Sequence, residues 1–440
     1  MTRETSLARP SADKSGLVLS ALLLVATWNY LDRVAVGILQ EPIKKEFGLS
    51  DFQLGSLGGP AFALLYVLMG IPFARLAERV NRVRLIATVF ALWSVMTALC
   101  GATTSFALLL MARAGVSIGE AGCSPASHSF IADYFPPQRR PWALAVFTSG
   151  VSLGSLVAAL AGGAVAQHFG WRPAFFMLGA SGLVLAVGFL LIVPEAPRST
   201  RVEDTPNFAH AVRFIVGKPV IWHIALGITV AAMMGFSMTQ YMTSYFIRTH
   251  GMVIGEATLR VALISGLAGA SGTYLGGYLG NRVAERDLGK ASLVAAWGFI
   301  VAAPLFAFGF LAPQAELATA LLMLGTAAQL AYFGPAFSIL HATVEPRMRA
   351  TAVALVLLMT NLLGYGLGPP LVGGVSDALS RFLNNHPAAA DICAVASWLR
   401  PACESPNAGG LQWALALLAV GNLWAFYHFV KVSRHHREQP

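Results

Sequence analysis

Charge is scarce in this 440-residue sequence: Asp, Glu, Lys and Arg make up 12% of it, against 56% hydrophobic residues and a mean hydropathy of +0.64. A soluble domain carries about 25% charged residues, so this chain has too few to clothe a globular surface and is expected to sit in a lipid bilayer. Cysteine is nearly absent. Of the four, Cys100 and Cys123 fall in apolar runs, where a thiol packs as a small apolar group. None has zinc-ligand spacing, so neither a metal nor a cofactor is expected. There is no phosphate-binding loop either. The nearest look-alike, Glu285-Arg-Asp-Leu-Gly289-Lys290-Ala291, lacks the first Gly and the Ser or Thr after Lys, which excludes a nucleotide-driven pump. His128, His223 and His341 lie at the ends of different segments, so no catalytic cluster forms at one depth and an enzyme is not expected. The net charge of +9 comes from basic residues scattered among short loops, which excludes nucleic acid as a partner.

Long apolar sequence is what the chain has in abundance. Twelve runs can span about 30 Å of hydrocarbon at 1.5 Å per residue: 16–39, 51–74, 84–104, 106–131, 141–166, 173–194, 219–246, 256–280, 290–311, 315–341, 350–375 and 410–431. The first is too long for a signal sequence and lacks a small-residue cleavage site, so it is expected to remain as a helix. Arg75, Arg79, Arg82, Arg84, Arg139, Arg140, Arg282, Arg286, Lys290, Arg347 and Arg349 all fall on one side if both termini are cytoplasmic, and the opposite loops are poor in Lys and Arg. Short loops without an N-x-S/T sequon point to a bacterial inner membrane.

A polar stretch from Pro194 to Lys218 divides the runs six and six. The expected organisation is a bundle at 1–194, a cytoplasmic linker at 195–218 and a second bundle at 219–440. Leu76-Ala-Glu-Arg79-Val80 after the second run matches Leu279-Gly-Asn-Arg282-Val283 after the eighth. Pro137-Gln-Arg-Arg140 matches Pro346-Arg-Met-Arg349. The offsets, about 203 and 209 residues, are nearly equal, as a duplicated unit requires. The fold class expected is an all-α membrane protein of twelve transmembrane helices in two pseudo-symmetric six-helix bundles, with a transport site between them.

Against this background four charges stand where charge is expensive. Asp32 and Arg33 lie in the first run, Arg113 and Glu120 in the fourth. An ion at mid-bilayer costs from about 3 to more than 10 kcal/mol, so such residues persist where they pair or line a watery cavity. Counting at 1.5 Å per residue sets Asp32 about 12 Å and Arg113 about 10 Å below the outer ends of their helices, level with each other. Glu120 is two turns further along the same face. Gly115, Gly119 and Gly122 thin the fourth helix for close approach. Glu120 is expected to be the proton-coupling acid, with Asp32 as a second proton site or fixed counter-ion. Arg33 and Arg113 would be the partners that change hands.

The loop Arg75-Leu-Ala-Glu78-Arg79-Val-Asn-Arg82-Val-Arg84 resembles the loop 2–3 signature of the major facilitator superfamily, G-x-L-A-D-R-x-G-R-R, with Ala74 in place of Gly and Glu78 in place of Asp. The resemblance implies a conformational latch in which Glu78 and Arg79, with Arg82, Asp133 and Arg140, bridge the cytoplasmic helix ends. Asn29-Tyr30-Leu-Asp32-Arg33, Arg113-Ala-Gly-Val-Ser-Ile-Gly119-Glu120-Ala121 and Ala132-Asp133-Tyr-Phe-Pro136-Pro137-Gln-Arg-Arg140 together resemble the Spinster branch of that superfamily. The likeness runs through the whole first half and more loosely through the second. It implies a proton-linked or facilitative carrier of lysolipids, sphingoid phosphates and similar amphiphiles. The anion:cation symporter branch shares part of the pattern, so a proton-linked organic-anion symporter of the sugar-acid type or a drug antiporter of the same superfamily is the alternative, with a channel less expected.

The second half has no comparable charge inside its helices. Its polar and aromatic candidates are Thr239, Gln240, Tyr241, Tyr245, Gln329, Phe333, Phe337, Asn361 and Tyr365. With Asn29 and Tyr30 they are expected to line an amphipathic cavity for a ligand with an ionic head and an apolar body. Gly364-Tyr-Gly-Leu-Gly-Pro369-Pro370 should bend the eleventh helix. Gly150, Gly154, Gly162 and Gly163 should let the fifth pack closely. Cys393 and Cys403 share the longest outer loop and could join in a disulfide. The expected partners are a small amphiphilic or anionic substrate, protons and the bilayer, and the expected assembly is a monomer.

Overall fold

The computed structural model describes residues 12–77, 79–136, 139–195, 208–345, 348–385 and 405–437. Among them eleven helices are long and apolar enough to cross a membrane: α1 (Ser15–Phe47), α2 (Asp51–Ala77), α3 (Arg82–Ala102), α4 (Phe106–Tyr134), α5 (Trp142–Phe169), α6 (Trp171–Ile192), α7 (Pro219–His250), α9 (Leu288–Leu311), α10 (Ala315–Thr343), α11 (Thr351–Asn385) and α12 (Asn407–His435). Between α7 and α9 runs α8 (residues 254–284), one continuous helix made less apolar by its glycines, serines and tyrosines. Cys393 and Cys403, and with them the expected disulfide, lie outside the described residues, as does Glu78.

Packing repeats with a period of six helices. In the first half α3 packs on α6 and α4, α1 on α5, and α2 on α4. In the second, α9 packs on α12 and α10, α7 on α11, and α8 on α10. The chain reversals repeat as well. Gly48 after α1 and Gly251 after α7 both hold φ +65°, a left-handed value that ends a helix readily only at glycine. They stand 203 residues apart, the spacing of the loop repeat. The twelve-helix, two-bundle architecture read from the sequence is the one observed.

Close contacts between the halves gather at the end where α1 joins α2 and α7 joins α8. There one apolar core runs across both halves, through Val36, Leu54, Met238, Tyr241 and Ile264. Towards the opposite end the second half has a core of its own, built on Ile221, Phe299 and Phe429. Glycine permits the approach. A Cβ on Gly37 of α1 would lie 2.8 Å from the Thr239 carbonyl of α7, and one on Gly373 of α11 would lie 2.2 Å from the Asp51 carbonyl of α2.

The expected bend in α11 takes another form. The helix continues through Pro369 and Pro370 and absorbs them in a π-helical turn, Thr360–Tyr365. Neither proline has an N–H for the carbonyl four residues back, those of Tyr365 and Gly366, and a widened turn accommodates the misfit. In α5, Gly150 and Gly154 pack against Ala26, Thr27 and Tyr30 of α1, as close packing requires. That helix also widens, over Ala158–Gly162.

Candidate functional site

The four buried charges form two crossed ion pairs inside the first half. Asp32 and Arg33 are successive residues of α1 and so point about 100° apart. Asp32 turns towards α3 and α4, where its Oδ1 accepts a hydrogen bond from Arg113 Nη1 at 3.2 Å and its Oδ2 accepts one from the Thr97 hydroxyl. Arg33 instead meets Glu120, donating from Nη2 at 2.7 Å and from Nε at 3.1 Å to the single oxygen Oε2. Asp32, Arg113 and Glu120 are each no more than 1% exposed. The depth count set Asp32 and Arg113 level, and they pair. Glu120, which shares a face of α4 with Arg113, pairs with the other arginine.

Aromatic rings separate the two pairs. The Phe62 ring of α2 lies 5.3 Å from the Arg33 guanidinium and 5.3 Å from that of Arg113, so it is shared between two cations. Ser117 Oγ of α4 donates to the Phe62 carbonyl at 2.6 Å and fixes α2 at this level. The expected thinning of α4 is present: a Cβ on Gly119 would meet Trp93 of α3 at 2.8 Å. Glu120 Oε1, Arg113 Nε, Arg113 Nη2 and Asn29 Nδ2 are buried without a hydrogen-bond partner among the described residues. Such groups are rare in protein cores. Asp32, by contrast, has both oxygens satisfied. Thr97→Val should therefore destabilise the folded protein by about 1–3 kcal/mol, the effect of leaving one buried carboxylate oxygen unpaired, which a lowered melting temperature would register.

At the level of Arg33 the two halves leave a narrow cleft of about 10 Å³, roughly the room of one water. Tyr30 and Arg33 border it from α1, Phe236, Thr239 and Gln240 from α7, and Tyr365 from α11. Tyr365 thus borders the charge pair from the opposite half. The other second-half candidates are placed differently. Tyr241 and Tyr245 are fully buried, and their hydroxyls donate to backbone carbonyls, of Asp51 at 2.6 Å and of Gly309 and Phe310 at 3.2 and 3.1 Å. Both hydroxyls are thus engaged in contacts between helices. Asn361 donates to Leu357 of its own helix at 2.8 Å. Phe333 is exposed and pairs with Phe337 at 5.0 Å on α10. Gln329 is buried and donates to Asn422 of α12.

Above the cleft an ionic seal joins the halves, and none of its charged residues was legible as a site in the sequence. Arg248 of α7 reaches across to α2 and donates to both oxygens of Asp51 at 2.8 Å each, and to Glu41 of α1 at 2.6 Å. Asp51 also accepts from Lys44 and Ser376 at 2.6 Å each. Asp377 of α11 accepts the Asp51 and Phe52 backbone N–H groups, both at 2.9 Å, and so caps α2 from the other half. These residues lie at the ends of apolar runs, where a charge looks like ordinary loop polarity.

The latch candidates sit at the opposite end. Arg82 is buried and binds Asp133, together with Glu195 at 3.1 Å, while Glu195 also accepts the Val83 N–H at the start of α3 at 2.8 Å. Arg140 Nε donates to the Phe135 carbonyl at 3.1 Å, and the Arg79 residue is exposed. Glu195 stands at the edge of the linker and was missed for that reason. All these bonds are internal to the first half.

Residues 22–369 match the family model described as Major Facilitator Superfamily. An MFS-type efflux pump of Mycolicibacterium smegmatis is 36% identical over 362 residues, 82% of this chain and 84% of that protein. Human protein spinster homolog 1 is 27% identical over 398 residues, covering 84% of this chain and 75% of that one. The crystal structure of a bacterial homologue of the human lysosomal transporter Spinster, in an inward-facing and unoccupied conformation, superposes with a TM-score of 0.88 at 32% identity, over 98% of this chain and 99% of its own. With the duplicated bundles and the crossed ion pairs already in place, these likenesses settle the family: the chain belongs to the major facilitator superfamily and is a membrane transporter of its Spinster type.

Proposed function

We propose that the chain is a secondary carrier that moves an amphiphilic or anionic small molecule, of the lysolipid or sphingoid-phosphate kind, by alternating access, and that Glu120 couples the movement to protons. The observation that carries this reading is the crossed ion pairs, with Glu120 Oε1 unpartnered among the described residues. A proton can be added at that oxygen without breaking a hydrogen bond. It removes the charge that holds Arg33, and Arg33 borders the cleft between the halves. A freed guanidinium there can take an anionic head group, while Phe236 and Tyr365 offer apolar faces. The proton replaces Arg33 as the partner of Glu120 and the anion replaces Glu120 as the partner of Arg33, so that no buried charge is left alone. Asp32, held by Arg113 and Thr97, serves as the fixed counter-ion.

Sidedness follows from the basic loops. With both termini in the cytoplasm of a cell bounded by this inner membrane, the ionic seal is at the outer face and the cleft lies on its inner side. Arg82, Asp133 and Glu195 then hold α3 and α4 together on the cytoplasmic side, beside Arg79 and Arg140.

A thermal-shift screen in detergent or nanodiscs tests the reading. A lysophospholipid, a sphingoid phosphate and a sugar acid would be compared on the native protein and on Arg33→Gln. The expected result is stabilisation by an anionic amphiphile, tighter at lower pH by up to about tenfold per pH unit because one proton enters with the anion, and lost in Arg33→Gln. Stabilisation by the sugar acid alone would move the protein to an organic-anion symporter. Substrate flux without saturation or counterflow in proteoliposomes would make it a channel.

A further inference from the structure

The arginine that pairs with Glu120 also faces three aromatic rings. Phe62 and Tyr66, at 5.3 and 4.9 Å, belong to α2 of the same half. Tyr365, at 5.9 Å, belongs to α11 of the other half. Tyr365 stands edge-on between Phe62 at 5.4 Å and Phe236 of α7 at 4.8 Å. It is buried, and its hydroxyl lies 3.0 Å from where a Cβ on Gly58 would be. The glycines beside it bring α11 close to both halves: a Cβ on Gly364 would meet Ala232 of α7 at 3.2 Å, and one on Gly366 would meet Ala63 of α2 at 3.2 Å.

Its backbone is a point of change. Tyr365 ends the π-helical turn of α11, and Gly366, Gly368, Pro369 and Pro370 follow at once. A π-turn holds one residue more than an α-turn, so relaxing it rotates the ring by about 100° around the helix axis. Tyr365 therefore combines an aromatic face turned to a charge in one half with a hinge in the other. A carrier of this kind needs such a link. Binding or protonation in one half moves the other only through a contact whose free energy differs between the two states. The ring over Arg33 is such a contact: an arginine drawn away by a substrate anion no longer attracts it.

We propose that Tyr365 is the positioning residue through which the second half senses the Arg33–Glu120 pair, its ring rather than its hydroxyl carrying the signal. The inference rests on the reading of that pair as the coupling element, but it can fail separately. Nitroxide labels at positions 169 and 253, on a background with the four cysteines replaced, would report the separation of the halves at the sealed end, by pulsed electron resonance in nanodiscs at fixed pH without substrate. Arg33→Gln and Tyr365→Leu are each expected to change the ratio of sealed to open populations by about threefold to tenfold, the range of one cation–π contact. The double variant should change it no further, and Tyr365→Phe should match the native protein. Tyr365→Met, which fills the volume without a ring face, replaces the Leu variant if that one does not insert. Additive effects of the two substitutions, a Tyr365→Phe protein that behaves like the Leu variant, or a Leu or Met variant with native populations would each overturn the proposal. Glu120→Gln removes the titrating group and keeps the rings in place, so failure of proton coupling at Glu120 is told apart by repeating the Tyr365→Leu comparison on that background.

Discussion

Glu120→Gln should abolish accumulation of substrate against its gradient while leaving exchange across the membrane intact. The reason lies in the asymmetry of the two ion pairs. Asp32 has two donors on two oxygens, whereas Glu120 has both contacts on Oε2 and none on Oε1. Glutamine keeps the shape and one acceptor for Arg33 but removes the ability to alternate between charged and neutral. At about 4 Å and an effective dielectric of about 20, a pair of unit charges is worth about 4 kcal/mol, a term that the native protein can switch with a proton and the variant cannot. A gradient of one pH unit supports up to about tenfold accumulation per coupled proton. Proteoliposomes carrying the variant should show none, yet should still exchange labelled for unlabelled substrate. Accumulation at the native level would remove the coupling role from Glu120. Asp32→Asn should differ in kind. It leaves Arg113 buried without a counter-ion, and the expected loss is of folded protein rather than of coupling alone.

Arg248→Ala should unseal the other end. Arg248 holds Asp51 with two parallel hydrogen bonds and Glu41 with a third contact, and both carboxylates are nearly buried. Removing the arginine leaves Glu41 with no cation among the described residues and Asp51 with Lys44 alone. Breaking a buried pair in this way costs about 3–5 kcal/mol, enough to shift a two-state equilibrium by a factor of about 100 to several thousand. The contact exists only while α7 lies against α1 and α2, so the loss falls on the sealed conformation and not on either bundle. The expected result is a carrier that rests with this end open. Reactivity of a cysteine introduced at Ser376, which is fully buried against Asp51, should rise strongly in the variant and stay low in the native protein. Unchanged reactivity would mean that the glycine-lined apolar contacts close the seam unaided.

The parts of the site that were legible in the sequence are those where a residue contradicts its surroundings. Asp32, Arg33, Arg113 and Glu120 stand out because an ion in an apolar run has to be explained, and helix arithmetic then gives their depth. Arg248, Glu41, Asp51 and Asp377 could not be singled out. Each lies at the end of an apolar run, where a charge needs no explanation, and their significance comes from meeting across 197 to 326 residues of chain. Glu195 escaped for the same reason, as a linker carboxylate that turns back to cap α3. Tyr241 and Tyr245 show the converse. A polar aromatic residue in an apolar helix reads as a ligand contact, but a nearby backbone carbonyl satisfies the hydroxyl equally well.

Sequence alone determined what depends on spacing along the chain. Hydrocarbon thickness and the rise of a helix set the number of spans, and the distribution of Lys and Arg set their expected orientation. The recurrence of a loop at about 203 residues set the duplicated bundles, and the scarcity of charge made the ionic quartet conspicuous. Tertiary structure decided what depends on direction around a helix and on contact between distant segments. Two adjacent residues of α1 point about 100° apart, and they meet the one helix α4 two turns apart along it, Asp32 at Arg113 and Arg33 at Glu120, a pairing that order in the sequence does not fix. The same is true of the seal. Its bonds join α1 and α2 to α7 and α11, and only the approach of two separately built halves brings them within 3 Å.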